Sequence, residues 1–199
     1  MAPLNENQLE QIRNERKNQI MSAALKVFAE NGIKLTKISM IAAEASISHG
    51  LLYHYFKSKE EVLHESLKWA MTGATELFQE IKALPLTPIE KIKHFIRIAL
   101  TEGNSDVFRV IQHILRAKYP VPEQSKELIE HSSEEYAQQL LPLFIEGQEN
   151  GEIIQSDPQE LLELFLTVIS GLMMEGDFNW WNENMDRKID LLLRMISTR

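Results

Sequence analysis

The chain contains no cysteine. Disulfide frameworks, thiolate metal sites and a cysteine nucleophile are therefore excluded, and the composition fits a reducing compartment. Proline and glycine are scarce, seven and eight in 199 residues, which excludes a collagen-like or low-complexity chain. No apolar run approaches the roughly 20 residues that a membrane span needs. The segment Met1 to Ile12 is polar and acidic, without the apolar stretch of a signal peptide. The expectation is a globular cytoplasmic protein, neither exported nor inserted. Hydrophobic residues make up 44% of the chain, enough at this length for a core that needs no staples, in one compact unit or a small module fused to a larger one.

Positive charge is also in short supply. Lysine and arginine number 21 against 29 aspartates and glutamates, for a formal charge of −8. Spread evenly, that deficit would oppose nucleic-acid binding, because phosphates are neutralised by lysine and arginine. The charge is not even. Between Gln11 and Lys59 the eight bases Arg13, Arg16, Lys17, Lys26, Lys34, Lys37, Lys57 and Lys59 meet three acids, a net +5, whereas Glu60 to Arg199 carries −11. The first third has the balance of an anion-binding module, unless the segment is basic by chance.

Nearly every long segment repeats its apolar residues at helical period, and no alternating strand is present. The predicted fold is all-α, with about nine helices. Ile20, Ala23, Ala24, Val27 and Phe28 line one helix face that stops at Asn31-Gly32. Two short helices follow, and then a long stripe through Leu63, Leu67, Met71, Phe78 and Ile81, entered at Ser58 as cap with Glu61 three residues on. Further helices are expected from Pro88 to about 102, from Ser105 to about 118 and from Glu123 to about 150, the last kinked at Pro142. Two more begin near Asp157-Pro158 and near Asp186.

The informative stretch is Thr36 to Lys59, TKISMIAAEASISHGLLYHYFKSK. Thr36 is placed to cap a short helix with Ile38, Ile41, Ala42 and Ala45 on its apolar face. Ser46-Ile47-Ser48 breaks the pattern, and a second short helix follows with Ser48 as cap and Leu52 and Phe56 inward. Two short helices joined by three or four residues, behind a supporting helix in a basic segment, are the sequence form of a helix-turn-helix. The outer face of the second helix is His49, Gly50, Tyr53 and His54.

Gly32, Thr36, Ile41-Ala42, Ala45, Ile47-Ser48, Gly50, Leu52 to Phe56 and Lys59-Glu60 together resemble the DNA-binding domain of the tetracycline-repressor (TetR) family. The resemblance covers about a quarter of the chain. It implies a three-helix DNA-binding head over residues 10–57 and a helical effector-binding and dimerisation domain over 58–199. It also implies a ligand-released repressor that reads a palindromic DNA operator as a homodimer, with activator or global-regulator roles as the alternative on the same fold. Two positions depart from the family pattern. Ser46 stands where a turn glycine is common, so the backbone there either avoids positive φ or carries roughly 1 kcal/mol of strain. Leu51 stands where a hydroxyl residue often touches a phosphate.

In this frame Ser48, His49 and Gly50 are the candidates to approach base edges, with Ser39 beside them. Tyr53, His54, Thr36 and Lys59 are the remaining DNA candidates, Lys59 at a helix N-terminus that favours an anion. The bland alternatives are a partly buried core aromatic for Tyr53 and solvated bystanders for His54 and Ser39.

The resemblance also implies an unknown, partly apolar small-molecule effector, with Met71, Phe95, Phe108, His113, Tyr136 and Met173 as candidate pocket residues. Trp180-Trp181 either closes a pocket or lines a dimer seam. The helix after Pro158 is apolar over more than half its circumference, so Leu161, Phe165, Val168 and Leu172, with Ile189, Leu192 and Ile196 of the last helix, are expected to form a dimer interface. A monomer that buries both helices internally is the alternative.

Catalysis is the competing class, as a helical-bundle enzyme or a small-molecule-binding module without DNA function. Glu61 and His64 form one E-x-x-H pair, the spacing of carboxylate-bridged di-iron bundles, but a second pair is missing. There is also no phosphate loop, nucleophile elbow or zinc-spaced histidine pair. No catalytic residue, metal or cofactor is expected.

Overall fold

The structure is a computed structural model that describes residues 5–100, 104–118, 120–175 and 183–198. Among the described residues there are nine helices: α1 Glu6–Leu35, α2 Ile38–Glu44, α3 His49–Tyr55, α4 Lys59–Ala83, α5 Pro88–Ala99, α6 Asn104–Leu115, α7 Glu123–Glu149, α8 Pro158–Glu175 and α9 Met185–Leu193. The one β-type pairing among them is a single bridge, Ile153 to Ser197. Trp180 and Trp181, and the side chain of Met174, lie outside the described residues.

The chain divides into two compact units, Met1–Met71 with Val110–Glu127, and Thr72–Arg109 with Leu128–Arg199. The first holds the short helices. Helix α1 packs on α2, and α2 on α3, around Ile20, Ala24, Phe28, Ile41, Leu52 and Phe56, all buried. Helix α1 starts earlier than its apolar stripe, because Asn5 and Gln8 form a reciprocal capping box that closes the first turn. Its far end is broken by Gly32 at φ 72°, where the absence of a Cβ lets the chain kink before a last turn to Leu35.

Three caps expected from the sequence differ in detail. Helix α2 begins at Lys37 without a side-chain cap, because Thr36 turns inward and gives its hydroxyl to the carbonyl of Gly32 at 2.8 Å. Ser58 caps α4 by accepting from the Glu61 amide at 3.1 Å. The returning Glu61 carboxylate takes the Lys57 amide rather than that of Ser58. Helix α9 is entered through Asn184 at φ 59°, and Asp186 instead pairs with Arg97. Asp157 does cap α8, accepting from the amides of Gln159 and Glu160 at 3.0 and 2.9 Å.

The second unit is built on a core of Phe78, Ile92, Ile96, Phe144, Phe165 and Ile189. Helices α5 and α9 pack together and are laced by Lys93–Asp190 and Arg97–Asp186. Gly147 is required by packing, since a Cβ there would lie 2.6 Å from Ile153 Cδ1. Ile153 is held in turn by the end of the chain, with the Ile154 amide donating to Ile196 O at 2.8 Å and the Thr198 amide to Glu152 O at 3.0 Å.

Candidate nucleic-acid interface

Helices α2 and α3 are seven residues each and bury little: Ile41 and Ala42 from one, Leu52 from the other. Their other residues are free to face outward, which explains how so short a segment presents a surface. Ser48 caps α3 by accepting the Leu51 amide at 3.2 Å. That bond fixes the first turn of the helix, from which His49 and Gly50 emerge, both exposed. A Cβ added at Gly50 would meet nothing within 4 Å, so the glycine leaves open space on the outer face rather than relieving an internal clash.

One turn further along, Tyr53 is 48% exposed and meets the His49 ring edge-on, with centroids 5.0 Å apart. The pair restrains both rings at the surface, which excludes the reading of Tyr53 as a core aromatic. His54 is exposed against Tyr55 at 5.5 Å, and Ser39 is exposed on α2. Leu51 is exposed too, an apolar patch where a polar phosphate contact is common. Leu52 and Phe56 are fully buried, as their period requires.

Two expected DNA contacts occupy different places. Thr36 is 2% exposed, its hydroxyl committed to a backbone carbonyl. Lys59 is half-buried, and its ammonium donates to the carbonyls of Ile33 at 2.9 Å and Thr36 at 3.0 Å. Those carbonyls end α1, where unpaired acceptors and the negative end of the helix dipole attract a cation. Both residues thus hold the end of α1 to the start of α4, and Lys59 has at most one N–H left for a phosphate.

Sequence reasoning missed two further ties. Gln19 Nε2 donates to the carbonyl of Ala45 at 2.8 Å, locking α1 to the turn before α3. Lys17 donates to Glu65 at 2.8 Å and lies over the Phe56 ring at 5.7 Å. The hydrogen bond from Lys17 holds the Glu65 carboxyl below its ordinary value, against the opposing effect of burial. In the turn itself Ser46 takes φ 53°, so the serine carries the positive-φ strain that a glycine would avoid. Lys37 and Lys57 are exposed around this surface.

The six effector candidates are divided between the two units. Met71 and His113 belong to the first unit, where Met71 is buried and the His113 ring nitrogen sits 3.1 Å from Ala29 O. Phe95, Phe108, Tyr136 and Met173 belong to the second. There Phe78 brings two together, stacking on Phe95 at 5.3 Å and tilting against Tyr136 at 5.5 Å. Burial pushes the Tyr136 phenol up to about 12. A cavity of 290 Å³ in the first unit is lined by Ile33, Lys34, Lys59, Glu60, Leu63, Pro120 and Pro122, none of them an effector candidate.

Of the seven dimer candidates, Leu161, Phe165, Ile189 and Ile196 are buried in the chain's own core, while Val168, Leu172 and Leu192 are half-buried. The exposed apolar residues of α8 and α9 are others. Leu164 is 64% exposed, and Leu191 is exposed on α9 with Met195 just beyond it.

Glu61 and His64 are not part of any metal-holding cluster: among the described residues no three histidines, aspartates or glutamates are grouped to take an ion. Nor, among them, is any helix long and apolar enough to cross a membrane.

The comparisons with known proteins agree with this geometry. The family profile described as bacterial regulatory proteins, tetR family, matches residues 20–66, which spans the buried half of α1, all of α2 and α3, and the start of α4. The HTH-type transcriptional regulator HbdR of Aromatoleum sp. is 41% identical over 83 residues, 41% of this chain and 36% of that protein. The match therefore spans little more than a third of that relative. The fatty acid metabolism regulator protein of Bacillus subtilis is 32% identical over 182 residues, 87% of each chain. The crystal structure of the transcriptional regulator FadR from Bacillus subtilis, in complex with stearoyl-CoA, superposes with a TM-score of 0.61 at 28% identity, covering 89% of this chain and 94% of that one. A likeness that runs through the helix-turn-helix and on through nearly the whole length has one reading: the chain belongs to the tetR family of bacterial regulatory proteins.

Proposed function

We propose that this protein is a ligand-released transcriptional repressor that reads a palindromic operator as a homodimer. The head is assigned to residues 10–57 and the effector-binding and dimerisation domain to 58–199. One observation carries the reading: the capped first turn of α3 presents His49 and Gly50 outward, with Tyr53 behind them, from a segment of net positive charge. A short helix so exposed, on a scaffold so tied, suits entry into a major groove. Ser39, Ser48, His49 and Gly50 read bases, and Tyr53, His54, Lys37 and Lys57 hold phosphates.

The dimer seam is assigned to the outward sides of α8 and α9: Leu164, Val168 and Leu172 with Leu191, Leu192 and Met195. Exposed and half-buried apolar residues on two helices favour a second copy as cover. The likeness to the FadR structure in complex with stearoyl-CoA, over 89% of this chain, makes a long-chain acyl-CoA the effector class to test first.

The test is an electrophoretic shift of the DNA upstream of the protein's own gene, with and without stearoyl-CoA. The expected result is a discrete, competitor-resistant complex that the thioester dissolves. No sequence-selective complex at any protein concentration overturns the DNA reading. A complex indifferent to stearoyl-CoA overturns only the effector class.

A further inference from the structure

Residues 7–15 of α1 bury no side chain in the folded head. The buried stripe of this helix begins at Ile20, and every described side chain from Asn7 to Glu15 is exposed. The family match also begins at residue 20. Residues 6–19 nevertheless form regular helix, stopped at Asn5 by its capping box and continuous with the buried half. They make a stiff rod about 20 Å long, attached without a hinge.

The rod has a direction. Gln19 touches the turn before α3 through its 2.8 Å bond to Ala45 O, so the Gln19 side of the helix is the side of the reading surface. At 100° per residue, Ile12, Arg16, Leu9 and Arg13 fall about 20°, 60°, 80° and 120° round from Gln19. These four residues make one stripe of alternating apolar and basic character. Leu9 is 52% and Ile12 47% exposed. Arg16 keeps one N–H bond, to Gln19 Oε1 at 2.7 Å, and Arg13 has no partner among the described residues. Of the neighbouring charges, Glu15 lies about 40° from Gln19 on the side opposite the stripe. Lys17 is spent on Glu65, Glu15 accepts from Gln11, and Glu10 is half a turn away from Gln19.

We propose that this segment is a DNA-clamping arm, with Arg13 and Arg16 neutralising backbone phosphates beside each half-site and Leu9 and Ile12, nearer the helix start, packing on the sugar edges beyond them. Two arginines whose Cα atoms rise about 4.5 Å along the helix axis can reach adjacent phosphates of one strand. Continuity with the α3 surface through Gln19 and the two arginines of the stripe favour DNA over a protein partner. The proposal rests on the DNA-binding reading above and extends it to a part of the chain that the family match does not cover.

The experiment compares the full-length wild type, R13A/R16A and R13K/R16K on a duplex that the wild type selects from a random pool, and on random DNA. Arg13 is exposed and Arg16 half-buried against Gln19, so all three proteins are melted first and binding is compared where each is folded. For R13A/R16A the arm account expects the slope of log K against log salt to fall by about 1.8 per head, cognate and random binding weakened by the same factor, and hydroxyl-radical protection lost symmetrically beside the half-sites. R13K/R16K should restore the slope. An unchanged slope and footprint for R13A/R16A overturn the arm while leaving the DNA reading standing. Weaker binding caused by loss of dimers in sedimentation also overturns it, since the stripe is then a protein contact. A wild type that selects no DNA sinks both.

Discussion

The head and the body use their helices in opposite ways. In the head, α2 and α3 bury three residues between them and leave the rest outward. In the body, α8 buries Leu161, Leu162, Phe165 and Ile169 and still shows Leu164 to solvent. A surface that meets DNA must match a fixed partner, so it is polar and its residue types are diagnostic. A surface that meets a copy of itself is apolar, and in sequence it cannot be told from core. Packing supplies the distinction: Leu164 and Phe165 are adjacent in the chain and opposite in environment.

The largest expected effect separates the two sides of α8. Phe165→Asp places a charge in the core and should cost more than the roughly 3–5 kcal/mol of a phenylalanine truncation, leaving no folded protein. Leu164→Asp should keep full helix content by circular dichroism and sediment as a monomer. A folded dimer from Leu164→Asp places the seam elsewhere.

Within the head, the comparison is between reading and holding. His49→Ala should weaken the cognate site by about 1–3 kcal/mol while leaving random DNA nearly unchanged, measured by anisotropy. Equal loss on both DNAs makes His49 a phosphate contact. Lys59→Met removes charge-assisted bonds to Ile33 O and Thr36 O, so it should lower stability by about 1.5 kcal/mol and leave the salt slope of DNA binding unchanged. A slope reduced by about one per head, at unaltered stability, makes Lys59 a phosphate ligand instead.

Two smaller effects sharpen the account of the scaffold. Ser46→Gly relieves a positive-φ serine and should raise stability by about 1 kcal/mol, readable as a higher melting temperature. The Lys17–Glu65 bond has a pH signature. Glu65 is held below its ordinary value of 4.5, so the folded state binds its proton more weakly than the unfolded chain does. Its contribution is present above that ordinary value and is lost as pH falls through the folded one. Lys17→Met should therefore lower stability at neutral pH and shallow the acid limb of the stability profile. Parallel profiles for the two proteins would remove the bond from the account.

What is legible in the sequence is local. The caps at Ser48, Ser58 and Asp157 and the inward Leu52 and Phe56 depend on neighbours within a turn, and spacing reports those. Spacing misplaces Thr36 and Lys59 because their partners are set by how α1 ends against α4, with Lys59 and Ile33 26 residues apart. Gln19 escapes it for the same reason, its acceptor again 26 residues away. The first turns of α1 look like a polar tail because no apolar stripe marks them. They are helix because Asn5 and Gln8 close the capping box and the buried half of α1 propagates backward. The effector candidates come from core-forming residue types, which carry no address, and the fold distributes them between its two units.

The central claim is that a basic, exposed head reads sequence on behalf of an acidic body. Its most direct test is the affinity of the wild-type chain for its selected site and for random DNA across a salt series. Affinity for both should fall steeply and with similar slope, while the selected site stays tighter by about 10³-fold or more at every salt. Equal affinity for the two DNAs, or a binding constant indifferent to salt, would contradict it.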